Sequence, residues 1–102
     1  MSIDKDFLLI QDMILAKTSI EKALLHVNSR NEKTVYSWVH RELSGFFRKY
    51  SKNKDLANDI IKIQECISKG DHICLKQQLL LTKKKIEEQI DLLYKSMYRR
   101  AS

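Results

Sequence analysis

Apolar residues recur at intervals of three and four along most of this chain, which is the spacing of residues on one face of an α-helix. Three stretches of this kind cover about residues 4–27, 30–50 and 72–98. A shorter stretch, which ends near Lys69, lies between the second and the last. The pattern therefore predicts four helices with only a few residues between them.

The first two breaks in the pattern carry side chains suited to helix ends. Ser29 and Glu32 are spaced as a capping box, in which each side chain accepts an amide N–H at the start of the next helix. The second helix is accordingly predicted to begin at Arg30 or Asn31. Ser51 or Asn53 is placed to cap the third helix.

The third break is the short sequence SKGD, which contains one residue typical of a helix end and one typical of a helix start. Gly70 suits the left-handed conformation after a helix, and Asp71 suits the cap of the next one. The chain has no proline and only two glycines, whereas a β-rich chain would need many turns built from such residues. We predict an all-α single domain over residues 1–102, an antiparallel bundle of four helices with short connections in which helices 1 and 4 are longest.

The first helix is apolar on more than one side. Leu8, Leu9, Leu15 and Leu25 widen its main apolar stripe beyond what one neighbouring helix needs. The main stripe, predicted to face the core, is Phe7, Ile10, Met13, Ile14, Ala16, Ile20, Ala23, Leu24 and Val27.

The last helix is predicted to outlast the third by about 12 residues, or about 18 Å. Its overhanging end carries Leu93, Tyr94, Met97 and Tyr98. The wide stripe of the first helix is expected to cover part of this end. The rest predicts a surface for a second copy of the chain or for another protein partner.

Charge is unevenly distributed along the chain, whose formal net charge is +6. Most of the basic excess falls after residue 32, and 14 of the 19 basic residues are lysine rather than arginine. Lysine is the weaker pointer to phosphate binding, because arginine contacts phosphate through two donors at once. A basic strip on the second helix and the turn after it is the candidate surface for an anionic partner; it consists of Arg41, Arg48, Lys49, Lys52 and Lys54.

The same helix also carries five aromatic residues, which are interleaved with the basic ones in sequence. On a helix the two sets mostly face apart, so the favoured interpretation is an aromatic core with a solvated basic face. Trp38 is accordingly expected to be substantially buried, and Trp38→Ala to cost about 3–5 kcal/mol of stability. Further along, Lys83 and Lys84 are expected to pair with Glu87 and Glu88 one turn away on a solvated face.

Two cysteines, Cys66 and Cys74, bracket the break at Gly70 together with His72. A zinc site would need a fourth ligand and paired spacings that the sequence lacks. We therefore predict reduced thiols, no metal and no cofactor. The start of the chain does not resemble a signal peptide and no apolar run is long enough to span a membrane, so the predicted location is cytoplasmic.

No residue pattern supports catalysis. A nucleophile in a recognisable setting, a phosphate-binding glycine loop and an E-x-x-H pair are all missing from the sequence. In size, basic charge and helix count the chain is similar to several groups of small bacterial helical proteins, namely bacteriocin immunity proteins, secretion chaperones, and phage or plasmid regulators. No motif carries that comparison, so no residue role is taken from it.

Two functional hypotheses follow. The first is a non-enzymatic interaction protein, namely an adaptor, regulator, chaperone or immunity-type protein, that acts through protein–protein contacts and forms a homodimer. The alternative is a basic nucleic-acid-binding regulator that uses the positive face of the second helix. Only the alternative requires an affinity for nucleic acid that falls steeply with salt.

Overall fold

The fold was analysed in a computed structural model, which describes the backbone of residues 2–29 and 33–101 and the side chains of residues 5–29 and 33–99. Four helices account for nearly all of it: α1 (Ser2–Ser29), α2 (Thr34–Tyr50), α3 (Ala57–Lys69) and α4 (His72–Ala101). The described residues contain no strand. The all-α prediction is confirmed, with α1 and α4 the longest helices.

The helices form a ring in which each one packs against two others. α1 contacts α2 and α4, and α3 contacts α2 and α4, whereas the diagonal pairs do not come close within the described residues. Two ion pairs fix α1 and α4 as antiparallel neighbours: Lys17 Nζ lies 3.3 Å from Glu87 Oε2, and Lys83 Nζ lies 3.5 Å from Glu21 Oε2. This is the predicted antiparallel bundle.

The core lies along the axis of the ring and takes large apolar side chains from all four helices. Ile20 of α1, Leu43 of α2, Ile63 of α3, and Leu79 and Ile86 of α4 are completely buried. Burial of each such side chain contributes roughly 1.5–3 kcal/mol to folding.

The connection at Gly70 forms as its sequence predicts, whereas Asn53 starts the turn before α3 without capping the helix, whose N-cap position is Leu56. Asn53 Oδ1 accepts the N–H groups of Asp55 and Leu56, which starts the turn that leads into α3. Gly70 has φ 63° and ψ 33°, a left-handed conformation that costs glycine little, and ends α3. Asp71 Oδ1 then accepts the N–H of Cys74 and caps α4.

The connection between α1 and α2 differs from its prediction. α1 continues to Ser29, whose hydroxyl donates back to the carbonyl of His26. α2 begins at Thr34, later than expected, and no side chain caps it. The predicted start at Arg30 or Asn31 and the glutamate of the capping box, Glu32, lie outside the described residues.

The cysteines are not free thiols. Cys66 near the end of α3 and Cys74 in the first turn of α4 form a disulfide, with their Cα atoms 5.6 Å apart. The prediction of reduced thiols is therefore wrong, because the turn at Gly70 folds two residues that are eight positions apart onto each other. On the same turn, the Tyr36 hydroxyl of α2 donates to the carbonyl of Gly70 at 2.7 Å.

A polar network is buried between α3 and α4. Gln78 Nε2 donates to Asp59 Oδ1 at 3.1 Å and to Thr82 Oγ1 at 3.3 Å. Lys85 Nζ lies 2.7 Å from Asp59 Oδ2 and also donates to the carbonyl of Asp55. Because a buried charge is unfavourable unless it is paired, these bonds allow Asp59 to stay inside the bundle.

The long helices extend beyond the short ones at one end of the molecule, which measures 50 × 25 × 18 Å. The turn between α2 and α3 shares a groove with Leu9 of α1 and Leu92 of α4. Residues before Leu9 and after Leu93 therefore form a two-helix projection, which we call the arm (residues 2–8 and 94–101). The predicted overhang of helix 4 is thus accompanied by α1 along its length.

Candidate interaction surfaces

The basic strip lies on the outside of α2 and the following turn. Arg41, Arg48, Lys52 and Lys54 are exposed. Lys49 is exposed too, but its Nζ lies 2.9 Å from Asp12 Oδ1 of α1, and this hydrogen bond raises the pKa of the Lys49 ammonium. Four of the five predicted residues therefore form the open strip, while Lys49 also ties α2 to α1.

Trp38 does not lie in the core. Its side chain is 44% exposed, so the prediction of substantial burial is wrong. The ring stacks on His26 of α1, with centroids 6.1 Å apart, and the Arg41 guanidinium carbon lies 5.8 Å from the Trp38 centroid. Trp38 occupies the edge of the apolar face of α2, where the half-buried His26 covers it only in part.

The other aromatic residues of α2 agree with the interpretation of an aromatic core. Phe46, Phe47 and Tyr50 are buried, and Tyr36 packs half-buried against the same cluster. Burial raises the pKa of the Tyr50 hydroxyl above its usual value. Only Trp38 therefore shares the outer surface with the basic strip.

The lysine run at the centre of α4 forms ties between helices rather than the expected pairs within its own helix. Lys83 pairs with Glu21 of α1, and Glu87 pairs with Lys17. Lys85 reaches the buried Asp59. The interpretation as a solvated face is thus wrong for Lys83 and Lys85, since the neighbouring helices offer partners that the sequence of α4 alone does not reveal.

The apolar residues predicted at the end of α4 divide into two sets. Leu93 and Met97 are half-buried and pack against the core. Tyr94 and Tyr98 are exposed, Tyr98 by 76%. α1 runs far enough to cover one side of the arm, so Tyr94 and Tyr98 are the two of these four residues that remain for a partner.

A second apolar surface lies on the outside of α1. Leu8, Leu15 and Leu25 are all well exposed, and so they do not cover the end of α4 as the sequence suggested. Phe7 and Ile14, which were assigned to the core, are also exposed. The signal was present in the sequence, because a stripe wider than one neighbour needs has residues to spare.

Two further kinds of site, a metal centre and a membrane-spanning segment, do not occur among the described residues. No group of three or more His, Cys, Asp or Glu side chains within residues 5–29 and 33–99 is arranged to hold a metal ion. Among the described helices, none has a segment long and apolar enough to cross a membrane. Comparisons of the chain with family models, with curated protein sequences and with solved structures find no match.

Proposed function

We propose that this chain is a non-enzymatic interaction protein that acts through protein–protein contacts, as an adaptor, a regulator, a chaperone or an immunity-type protein. The observation that supports the proposal is the apolar surface formed by the outside of α1 and the tyrosines of the arm. Fourteen large apolar side chains are exposed among the described residues, and six of them lie on α1. Isolated exposed apolar residues are ordinary, but a run of them along one helix is typical of a binding surface.

The test is affinity capture from the native host, read by mass spectrometry, with matched variants. A Leu8→Ser/Tyr98→Ser variant removes apolar side chains from both parts of the surface. An Ile61→Ser variant, which alters an exposed residue of α3, is the control. We expect the wild type and the control to retain the same protein and the double variant to lose it; a partner retained equally by all three would contradict the proposal.

The alternative is a basic nucleic-acid-binding regulator, and one observation favours it. Trp38 and Arg41 share the outer surface next to the open strip of Arg48, Lys52 and Lys54. Proteins that bind single strands combine an exposed aromatic ring, on which a base stacks, with positive charge along the backbone path.

The alternative is tested by fluorescence anisotropy with single- and double-stranded oligonucleotides over a range of salt. If the alternative is correct, the logarithm of the binding constant falls linearly with the logarithm of the salt concentration. The slope is about 0.7–0.9 for each phosphate contacted. Arg48→Glu/Lys52→Glu should flatten the slope, whereas Lys62→Glu/Lys69→Glu on the exposed side of α3 should have a smaller effect. Binding unchanged by the first pair would remove the strip from the alternative.

A cytoplasmic location belongs to the proposal as well. Disulfides such as Cys66–Cys74 are more frequent in oxidising compartments than in the cytoplasm. The oxidation state of this pair in cells therefore tests the location. Thiol labelling in intact native cells, before and after reduction, reports the state of the pair. Two labelled thiols before reduction fit the cytoplasm, and labelling only after reduction contradicts it.

A further inference from the structure

The outside of α1 has the spacing of a helix-pairing seam. Six residues at alternating steps of three and four run along it, and all six are exposed: Leu8, Gln11, Leu15, Thr18, Lys22 and Leu25. We call this set the outer face of α1. Residues that repeat every 3.5 positions on average lie along the line on which two helices pack; three of these six are leucines and the other three are polar. The core face of the same helix is already used within the bundle.

The charged residues beside the outer face are paired with oppositely charged residues of the same chain. Between Phe7 and Ser29, the ionisable acids and ammonium groups of α1 are Asp12, Lys17, Glu21 and Lys22. The first three are paired with neighbouring helices: Asp12 with α2, and Lys17 and Glu21 with α4. The outer face therefore carries one ammonium group and no carboxylate.

The polar members of the outer face are compatible with a packed interface. The Thr18 hydroxyl donates to the carbonyl of Ile14 in its own helix at 3.0 Å, so its hydrogen is already satisfied. The Lys22 side chain has a long apolar stem that packs while its charged end stays at the edge. Gln11 offers both a donor and an acceptor.

We propose that a second copy of this chain docks on the outer face of α1, with the two α1 helices antiparallel about a two-fold axis. The inference rests on the proposed function, because it names one partner for the same apolar surface. An axis midway between Leu15 and Thr18 places these two residues opposite each other. It also places Leu8 opposite Leu25 of the second copy and Gln11 opposite its Lys22. Each of the six residues of the outer face thus lies opposite a residue against which it can pack, as a closed two-fold interface requires.

Charge decides the orientation. In a parallel pair, Lys22 would lie beside Lys22 of the second copy, and two ammonium groups would repel each other in a partly dry interface. In the antiparallel pair the two lysines lie about 16 Å apart along the helix axis. Each one then faces the amide oxygen of Gln11.

The apolar residues at the borders of the outer face also match in the antiparallel pair. Near the C-terminal end of α1, Ile73 and Leu80 of α4 line a cleft with Val27 and are exposed. The register set by the Lys17–Glu87 pair places the tyrosines of the arm near Phe7, at the other end. The two-fold axis brings Phe7 and the tyrosines of the arm of one copy next to the end of α1 that carries Leu25 in the other.

Sedimentation equilibrium tests the assembly. The wild type is expected at twice the chain mass of 12.1 kDa at micromolar concentration. Leu15→Glu should raise the dissociation constant at least about tenfold, whereas Ile61→Glu on α3 should leave it unchanged. Both residues are exposed, so helical circular dichroism should show that both variants remain folded. A monomeric wild type at 100 µM, or a dimer that Leu15→Glu does not weaken, would overturn the inference.

Cross-linking tests the orientation. Leu8 and Leu25 are about 26 Å apart on one helix, so cysteines at both positions cannot bond to each other within a chain. Oxidised Leu8→Cys/Leu25→Cys should therefore give covalent dimers, whereas Leu8→Cys alone should not. A covalent dimer from the single variant would indicate a parallel pair and would overturn the proposed geometry.

Charge at one position gives an independent readout. Gln11→Glu places a carboxylate opposite the Lys22 ammonium of the second copy and should tighten the dimer in a salt-sensitive way, while Gln11→Lys should loosen it. Equal effects of the two substitutions would contradict the pairing.

The inference and the proposed function fail in distinguishable ways. A monomeric wild type that still retains a different protein in the capture experiment, and loses it on Leu8→Ser/Tyr98→Ser, overturns the homodimer alone. A monomeric wild type that retains no protein in the capture experiment contradicts both the homodimer and the proposed function.

Discussion

The two ends of the bundle hold their helices together by different means. At one end, which we call the closed end, the Cys66–Cys74 disulfide and the bond from Tyr36 to Gly70 tie α2, α3 and α4 around one turn. At the arm only α1 and α4 remain, held by packing of half-buried residues such as Met97. Large apolar side chains are exposed at both ends, Ile73 at the closed end and Tyr98 at the arm, so the two ends differ in the disulfide and its turn rather than in apolar exposure.

The largest loss of stability is expected for a core residue of α4, compared with an exposed residue of the same helix at the base of the arm. Leu79 is fully buried and Leu92 is 65% exposed, and both belong to α4. Leu79→Ala should lower the free energy of unfolding by about 2–5 kcal/mol, because it leaves a cavity. Leu92→Ala should change it by about 0.5 kcal/mol or less. Urea unfolding followed by circular dichroism measures both, and similar losses would mean that Leu92 is covered in solution.

Reduction of the disulfide should weaken the closed end. The bond joins residues eight positions apart, and a loop of this size stabilises the folded state by about 2–3 kcal/mol. The wild type should unfold at a lower urea concentration when reductant is present. Cys66→Ser/Cys74→Ser should be insensitive to reductant, and a shift in that variant would show that the reductant acts elsewhere.

Loss of the tyrosine bond at the closed end should have a smaller effect. Tyr36→Phe removes the hydroxyl that donates to the Gly70 carbonyl and should lower stability by about 0.5–1.5 kcal/mol. The matched control is Tyr98→Phe in the arm, where an exposed hydroxyl is lost and almost no change is expected. If both variants lost the same stability, the difference between the two ends would not depend on this bond.

The smallest effect concerns Trp38, which lies on the outside of α2. It is the only tryptophan in the chain, so native fluorescence reports on it alone. Emission should move only slightly to the red on unfolding, and acrylamide should quench it in the folded state. Trp38→Ala should cost about 1 kcal/mol, the scale of one exposed ring and cation contact. A strong red shift of the emission on unfolding, together with a loss of stability in Trp38→Ala close to that of Leu79→Ala, would show that the ring is buried.

The end of α3 and the start of α4 were predictable from sequence because they are local, whereas the start of α2 at Thr34 was not predicted. Gly70 and Asp71 terminate and cap helices through their own backbone and side chain, and Asn53 starts its turn with amides two and three residues away. Helical spacing likewise identified the four helices and most of the core. No knowledge of the neighbouring helices was needed for either.

The edges of each apolar face were not predictable, because they depend on how much of the helix its neighbours cover. Trp38 and Phe7 both fall at the edge of a stripe, and both are exposed. The ties between helices were missed for a related reason: the partner of Lys83 is on α1 and that of Lys85 is on α3. Their positions become known only when the helices are placed side by side.

The candidate surfaces were predicted in part. The basic strip lies where its spacing indicated, except that Lys49 also pairs with Asp12. At the end of α4, the sequence did not separate Leu93 and Met97 from the exposed tyrosines, since their separation depends on the angle at which α1 approaches. The outer face of α1 was visible only as an unexplained width of its apolar stripe.

The ion pair between the buried Asp59 and the half-exposed Lys85 limits how this sequence can change over generations. Losing Lys85 leaves the buried carboxylate of Asp59 without its ion-pair partner, which is strongly destabilising, whereas the ammonium group of Lys85 reaches solvent and loses less when Asp59 is replaced. Replacement of both by apolar residues of similar volume is tolerated much better. Descendants of this chain that keep Asp59 should therefore keep Lys85 as well, whereas Lys85 can remain after Asp59 is replaced.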